Sequence, residues 1–383
     1  MQFALLGLDD STRLLAAASA ADPRALVAAY EVDPSQRAWL TERFPFARFG
    51  ENWDELLSLG NDVVVLVSRG SNEDLRAEQL RKLAQLTVPV VVSHPVLDSM
   101  IVHFELEMIR KDSHARLASY VPQAWHPGFD RIAELIDDPQ QIGKLDQIVI
   151  ERRVGDRAAA AVLRHFVRDV HLVRSWIGDL TRVAAFSAGG TTDFGALGVQ
   201  MTGPTETLVR WSCTVEGQTS AARLTFVGSS GRVVASITDA AEPWQVEMER
   251  GEETASESIA PADSRALKTR LLETITGDEI ETAWIETCRD MELADAVERS
   301  VKKGRTIELY LEEVDEQSTF KGMMAAGGCF LLMGTLFFVV VATTLTHFDV
   351  PLARFWPWLL MIVLGGFLGL QFLRLAFPSE PSK

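Results

Sequence analysis

The sequence predicts an α/β domain on a parallel sheet, then an α+β domain on an open antiparallel sheet, then two transmembrane helices. Three observations predict it. Up to residue 122, short apolar runs alternate with helical stretches. From Arg182 onward, six extended runs succeed one another with only Gly- and Ser-marked turns between them. From Gly322, two uncharged apolar stretches close the chain. The expected boundaries are 1–122, 123–315, and a hairpin of 322–346 and 355–373.

In the first domain, Phe3 to Leu6 and Ala25 to Val32 read as strands, and Pro34 to Phe44 and Trp53 to Leu59 as helices. Asp62 to Val67 (DVVVLV) and Val88 to Ser93 (VPVVVS) are β-branched runs suited to strands buried on both faces. Asn72 to Leu86 and Leu97 to Lys111 are helical, and Leu117 to Val121 is a last strand. This alternation implies a parallel sheet covered on both faces. In the second domain, Phe129 to Ile136 is a helix, Asp146 to Arg152 a strand, and Ala158 to Ile177 a long helix stopping at Gly178. The strands Arg182–Ser187, Ala196–Met201, Leu208–Val215, Ala221–Phe226, Arg232–Ile237 and Trp244–Glu249 follow. Glu252 to Ser264 is acidic and Ser/Ala-rich, expected as a mobile loop; Leu267–Thr274 and Glu292–Lys302 are helices, and Thr306–Leu311 is a strand.

Gly322 to Thr346 as a helix is roughly 37 Å long and Phe355 to Leu373 roughly 28 Å, against a hydrocarbon core of about 30 Å. Gly365 and Gly369 have small-residue spacing for helix contact. Lys302, Lys303, Arg305, Lys321, Arg374 and Lys383 flank the hairpin on its outer sides, which predicts that both termini and the large domains face the cytoplasm. No secretory signal is expected at the N-terminus. The net charge of −16 argues against a nucleic-acid partner. Cys213, Cys288 and Cys329 are too far apart for a metal-ligand or disulfide pattern, which suits a reducing compartment.

The chemistry starts at Gln2–Ala18 (QFALLGLDDSTRLLAAA), a strand ending at Gly7 and feeding a helix. A dinucleotide-binding βαβ unit begins this way, with three glycines in G-x-G-x-x-G. Here Gly7 stands alone, with Asp9 and Thr12 at the other two positions. A diphosphate about 4 Å from Asp9 meets a repulsion of roughly 1 kcal/mol in water and about 4 kcal/mol at an effective dielectric of 20. The alternative is that Asp9 or Asp10 caps the helix over an empty site.

In this order, the Rossmann-type domain, a strand ending before Pro95, a helix carrying histidine, an open antiparallel sheet, and a closing helix and strand resemble the glucose–fructose oxidoreductase / inositol dehydrogenase / MocA family. The resemblance covers residues 1–315. Met291–Leu309 (MELADAVERSVKKGRTIEL) is similar to the family's closing helix and strand, and Ile142-Gly143-Lys144 and Trp176–Asp179 fit as well. It implies hydride transfer between NAD or NADP and a sugar- or cyclitol-like alcohol. It also implies a cofactor site at Gly7, Asp9, Thr12, Glu31 (with Asp33 as substitute) and Pro95. The family's lysine before that proline is His94 here, its helical catalytic histidine is His171, and its preceding aspartate is Val167.

Read directly, His94 at a strand's C-terminal end either donates a proton or bonds a nearby carbonyl. Arg164, Arg168 and His171 fall at i, i+4 and i+7 on one helix face. That face either lines a cleft suited to an anionic sugar, such as a uronate or phosphate, or is simply solvated. Arg164, Arg168 and His126 are the expected substrate contacts, while His103 and His114 read as surface residues. No metal site and no serine nucleophile is expected. The expected partners are a small-molecule substrate, membrane lipid, and a second copy of the chain through the antiparallel sheet or the hairpin. Two main function classes stay open: an NAD(P)-dependent oxidoreductase at a membrane, or a catalytically degenerate binding or scaffolding module, motivated by Asp9, Thr12, His94 and Val167. A third places the function in the hairpin itself, docking a membrane partner.

Overall fold

A computed structural model of the chain describes residues 1–309, apart from 206, 217–220, 278 and 279, together with Met333. The chain divides into two units, Met1–Tyr310 and Leu311–Lys383, and the first contains every element below. The expected spans lie, but for Met333, outside the described residues. Among the described residues no helix is long and apolar enough to cross a membrane.

The first layer takes β1 (Gln2–Leu6), α1 (Asp10–Ala18), β2 (Leu26–Tyr30), α2 (Pro34–Arg43), β3 (Arg48–Gly50), β4 (Val63–Val67), α3 (Glu73–Leu83), β5 (Val90–Ser93), α4 (Met100–Ser113) and β6 (Leu117–Tyr120). All pairs are parallel, in the order β3-β2-β1-β4-β5-β6. The strand order reverses between β1 and β4, and in such sheets ligands bind above the carboxyl ends at that point. Alternate residues feed opposite cores. Ala4, Leu6, Val65 and Val67 meet Leu80, Leu106, Trp284 and Cys288 on one side. Phe3, Leu5, Val64 and Leu66 meet Leu15, Leu40, Phe44 and Leu271 on the other.

The second layer adds α5 (Pro127–Asp137), β7 (Leu145–Val154), α6 (Ala159–Ile177), β8 (Arg182–Gly189), β9 (Phe194–Thr202), β10 (Leu208–Val215), β11 (Ala221–Gly228), β12 (Arg232–Ile237), β13 (Trp244–Arg250), β14 (Glu253–Ile259), α7 (Ser264–Thr276), α8 (Ile280–Lys303) and β15 (Ile307–Glu308). The nine strands run β14-β13-β12-β11-β7-β10-β9-β8-β15. The sheet is mixed, not antiparallel as expected: β7 pairs parallel with β10, with Ile150 opposite Trp211. A long connection through α6, β8 and β9 separates these two strands, which is what parallel neighbours require. Side-chain alternation along a strand does not reveal its neighbours' directions. The expected loop at 252–264 is largely β14, an edge strand paired with β13, whose polar, mostly exposed side chains suit an edge.

α8 begins well before the expected Glu292. Trp284 and Cys288 pack under the parallel sheet, while Met291, Ala294 and Val297 pack under the mixed one. Residues at its middle therefore lie where the two layers meet. Trp284 also explains why His103, expected at the surface, is fully buried. The rings stack at 5.6 Å, and the indole N–H donates to the His103 carbonyl at 3.0 Å. Burial pushes the His103 pKa down to about 4. The unfolded chain then binds a proton below about pH 6.5 that the folded chain refuses until about pH 4, so His103 subtracts stability progressively as pH falls through that window. The full effect is about 3 kcal/mol. His103→Gln should flatten this part of the pH–stability profile in urea melts at pH 7, 6 and 5. An unchanged slope would show that the ring protonates in the folded state.

Candidate active site

Gly7 follows β1 with φ +75°, and a Cβ there would lie 2.3 Å from Ser68 Oγ and 3.2 Å from a guanidinium nitrogen of Arg76. The absence of a side chain therefore serves internal packing at the β1–β4 reversal. Asp9 caps α1: its Oδ1 accepts from the Thr12 N–H at 2.8 Å, and the Thr12 hydroxyl accepts from the Asp9 N–H at 3.0 Å. The two residues at the missing glycine positions satisfy each other as a capping box. The Asp9 charge is not isolated. Arg76 and Arg168, whose guanidinium pKa values are pulled down by burial, both feel it as a compensating charge.

Glu31, with φ 52°, closes β2. Its Oε2 accepts from Arg76 at 2.9 Å and its Oε1 from the Gln79 amide, while Arg76 also donates to Gln79 Oε1 at 2.8 Å. Arg76 is 1% exposed and engages the carboxylate that was expected to hold a ribose. Asp33, the substitute, caps α2 through Gln36 and Ser35. Sequence reasoning passed over Arg76, although an arginine followed three residues later by Gln79 on a helix with one buried face is a signal.

β5 ends at Ser93, so His94 and Pro95 stand at the sheet's carboxyl edge. His94 is fully buried, and among the described residues neither ring nitrogen has a partner in hydrogen-bond geometry. Its Nε2 is 3.3 Å from Asp290 Oδ2, an ion-pair separation off the hydrogen-bond direction. Burial holds its pKa below the ordinary histidine value, against the opposing pull of Asp290. His171 of α6 lies beside it, ring centroids 5.5 Å apart, with Nδ1 2.7 Å from the same Asp290 oxygen. Arg174 donates to the other oxygen at 2.7 Å and also pairs with Asp179 and Glu286. Burial alone would raise the Asp290 pKa, yet His171, His94 and Arg174 hold it well below the usual carboxylate range. The structure thus brings both expected histidines together, around an aspartate that was not expected. The carboxylate beside His171 comes from α8, not from the preceding turn of α6, where Val167 stands. The available signal was a charged residue on the face shared by Trp284, Cys288 and Met291.

The expected cationic face of α6 separates into distinct partners. Arg164 lies 3.3 Å from Asp98 and borders a cavity of about 270 Å³ with Pro95, Val167 and Met291. Arg168 donates to the His94 carbonyl at 2.9 Å. It faces a second cavity of about 430 Å³ with Asp10, Ser11, Gln123, His165 and Asp239. His165 was overlooked as a lining residue; burial pushes its pKa down to about 4. His126, expected at the substrate, corrects to a structural role. It is buried, Nδ1 accepts from the Gly128 N–H at 2.9 Å, Nε2 donates to the Glu242 carbonyl at 3.1 Å, and the ring stacks on Trp244 at 4.1 Å.

A dinucleotide finds a partial fit here. Asp10 and Ser11 bring the first N–H groups of α1 to the larger cavity, where they lack intrahelical acceptors, and Arg168 adds a positive charge. At the ribose end, Glu31 retains lone pairs but is already engaged by two donors.

No protein-family model matches the chain, and no curated protein matches it. Solved structures do. KijD10, a 3-ketoreductase from Actinomadura kijaniata seen with NADP and TDP-benzene, is 17% identical over 79% of this chain and 98% of its own, with TM-score 0.65. A candidate NADPH-dependent oxidoreductase from Desulfitobacterium hafniense is 15% identical over 80% of this chain and 97% of its own, with TM-score 0.66. A candidate myo-inositol dehydrogenase from Sinorhizobium meliloti is 17% identical over 81% of this chain and 100% of its own, with TM-score 0.62. At these identities the likeness is one of fold. The chain has the two-layer architecture of oxidoreductases of the glucose–fructose oxidoreductase / inositol dehydrogenase / MocA type.

Proposed function

We propose that this chain is an NAD(P)-dependent oxidoreductase acting on a sugar-type alcohol or the corresponding ketone, tethered to a membrane through 322–346 and 355–373 with its large domains in the cytoplasm. The observation that carries the reading is His171 held by Asp290 beside the carboxyl edge of the parallel sheet, in a fold shared with NADP-complexed KijD10. Ionised Asp290 only accepts, so Nδ1 of His171 carries the proton and Nε2 presents a lone pair. That nitrogen can take the proton of a substrate hydroxyl, or return it to a ketone oxygen. His94 is enclosed behind His171 and acts as a positioning residue. The nicotinamide, when bound, supplies or accepts the hydride. Asp10, Ser11 and Arg168 would hold its diphosphate and Glu31 a ribose. Arg168 also suits a substrate carrying an acidic group.

The test is titration of the intact detergent-solubilised protein with NADH and NADPH, followed by calorimetry. Submillimolar binding of either is expected, and His171→Ala should lower turnover about 100-fold or more in whatever alcohol is oxidised. Silence at millimolar nucleotide overturns the enzyme reading. A second reading would then hold, a membrane-tethered binding module. It is favoured by the Asp9–Thr12 cap and the Arg76–Glu31–Gln79 network, which already engage groups a dinucleotide would use.

A further inference from the structure

We propose that His94, His171 and Asp290 form a binding site for one divalent transition-metal ion, with zinc as the type case. The three residues come from the end of β5, the middle of α6 and the middle of α8, and one donor atom from each lies within 4.8 Å of the others. Two imidazoles and one carboxylate are a donor set that zinc and its neighbours favour. Ligands at about 2.0–2.1 Å from a tetrahedral ion sit roughly 3.4 Å apart. His94 Nε2 and Asp290 Oδ2 already have that spacing, at 3.3 Å. His171 Nδ1 and Asp290 Oδ2, at 2.7 Å, must move apart by about 0.7 Å when the shared proton gives way to the ion.

The second observation is His94 itself. Among the described residues Nδ1 has no partner and Nε2 meets only Asp290 Oδ2 at 3.3 Å, and a buried imidazole so poorly matched is rare, because each unmet polar atom costs about 1–3 kcal/mol. A metal bond satisfies Nε2, the nitrogen that faces Asp290. Protonation states agree: burial keeps His94 neutral and Asp290 stays ionised, so neither must shed a proton to ligate at neutral pH. Arg174, bound to Oδ1 at 2.7 Å, fixes the carboxylate so that Oδ2 is the ligating oxygen, the role outer partners play in metal sites. Three protein ligands leave one position, on the side of His171, the one partly exposed member, at 20%. Spacing along the chain hid the site, since its members lie 77 and 119 positions apart.

The proposal does not rest on nucleotide binding. Metal and proton exclude each other on His171 Nδ1, so the loaded form presents the ion where the free form presents the ring. The experiment takes the full detergent-solubilised chain, stripped with chelator, and titrates it with Zn²⁺ and with Co²⁺, each with and without NADPH. One equivalent should bind, raise the melting temperature, and give Co²⁺ the visible absorption of a tetrahedral N,O site. His94→Gln and Asp290→Asn should each weaken binding about 100-fold or more, and His94→Gln keeps the test decisive where Asp290→Asn folds poorly. Absence of stoichiometric binding, or binding that survives His94→Gln, overturns the site. Nucleotide should leave the stoichiometry at one; failure to bind NADPH alone bears on the oxidoreductase reading and leaves the metal result standing.

Discussion

Arg76→Ala is expected to cost about 3 kcal/mol of folding stability and to alter the crevice at the β1–β4 reversal. Arg76 is almost completely enclosed, and its nitrogens pack against Gly7 and Gly70 while bonding Glu31 and Gln79. Truncation removes a long buried stem and leaves the Oε1 of fully buried Gln79 without its donor, at about 1–3 kcal/mol for that oxygen alone. The lost charge pair contributes less than its distance suggests, because the Glu31 side chain is 30% exposed and can recruit water. Arg76→Met keeps most of the stem and should cost about half as much, a comparison that separates packing from charge. Denaturant midpoints for the three proteins decide it: equal midpoints would mean the network adds nothing. With Arg76 removed, Glu31 Oε2 loses its donor and turns free toward the crevice, while Oε1 stays with the Gln79 amide. Any affinity for NADH should then rise, and an unchanged affinity would remove Glu31 from the ribose site.

The parallel layer was legible because its strands are short β-branched runs buried on both faces, separated by amphipathic helices; Val63–Val67 has no polar position to confuse it. The second layer was legible in its strands but not in its pairing, since β7 looks the same whether β10 runs with it or against it. The site was half legible. His94 and His171 announce themselves as histidines at a strand end and on a helix. Asp290, Arg174 and Arg76 do not, because single carboxylates and guanidiniums usually mark solvated faces and their burial depends on contacts made 119, 116 and 45 residues away. His126 misled for the converse reason. A histidine between Trp125 and Pro127 looks like part of a cleft, yet an N-cap and a stack on Trp244 occupy the whole ring. Asp9 and Thr12 read correctly as departures from a glycine-rich turn, and the structure adds that each is the other's partner.

Asp290→Asn should have the larger effect on activity, and its two readouts separate structure from chemistry. The side chain keeps its shape but loses its charge, so buried Arg174 must rely on Asp179 and Glu286 alone. Breaking one partner out of a buried ionic cluster costs about 3–5 kcal/mol; the two remaining carboxylates put the expected value toward the low end. The amide offers one acceptor where the carboxylate served Arg174 and His171 on separate oxygens. If Arg174 keeps that acceptor, an amide N–H faces His171 Nδ1, which reverses the tautomer and places the proton on Nε2, where a substrate hydroxyl needs a lone pair. The expected result is a fall in kcat of about 100-fold or more with KM nearly unchanged, because the ring still fills its place while losing its function as base. A variant that melts several degrees lower but turns over at the original rate would confine Asp290 to holding α8 against α6. Loss of turnover with an unchanged melting temperature would assign the carboxylate to the reaction and leave its share of the layer junction small.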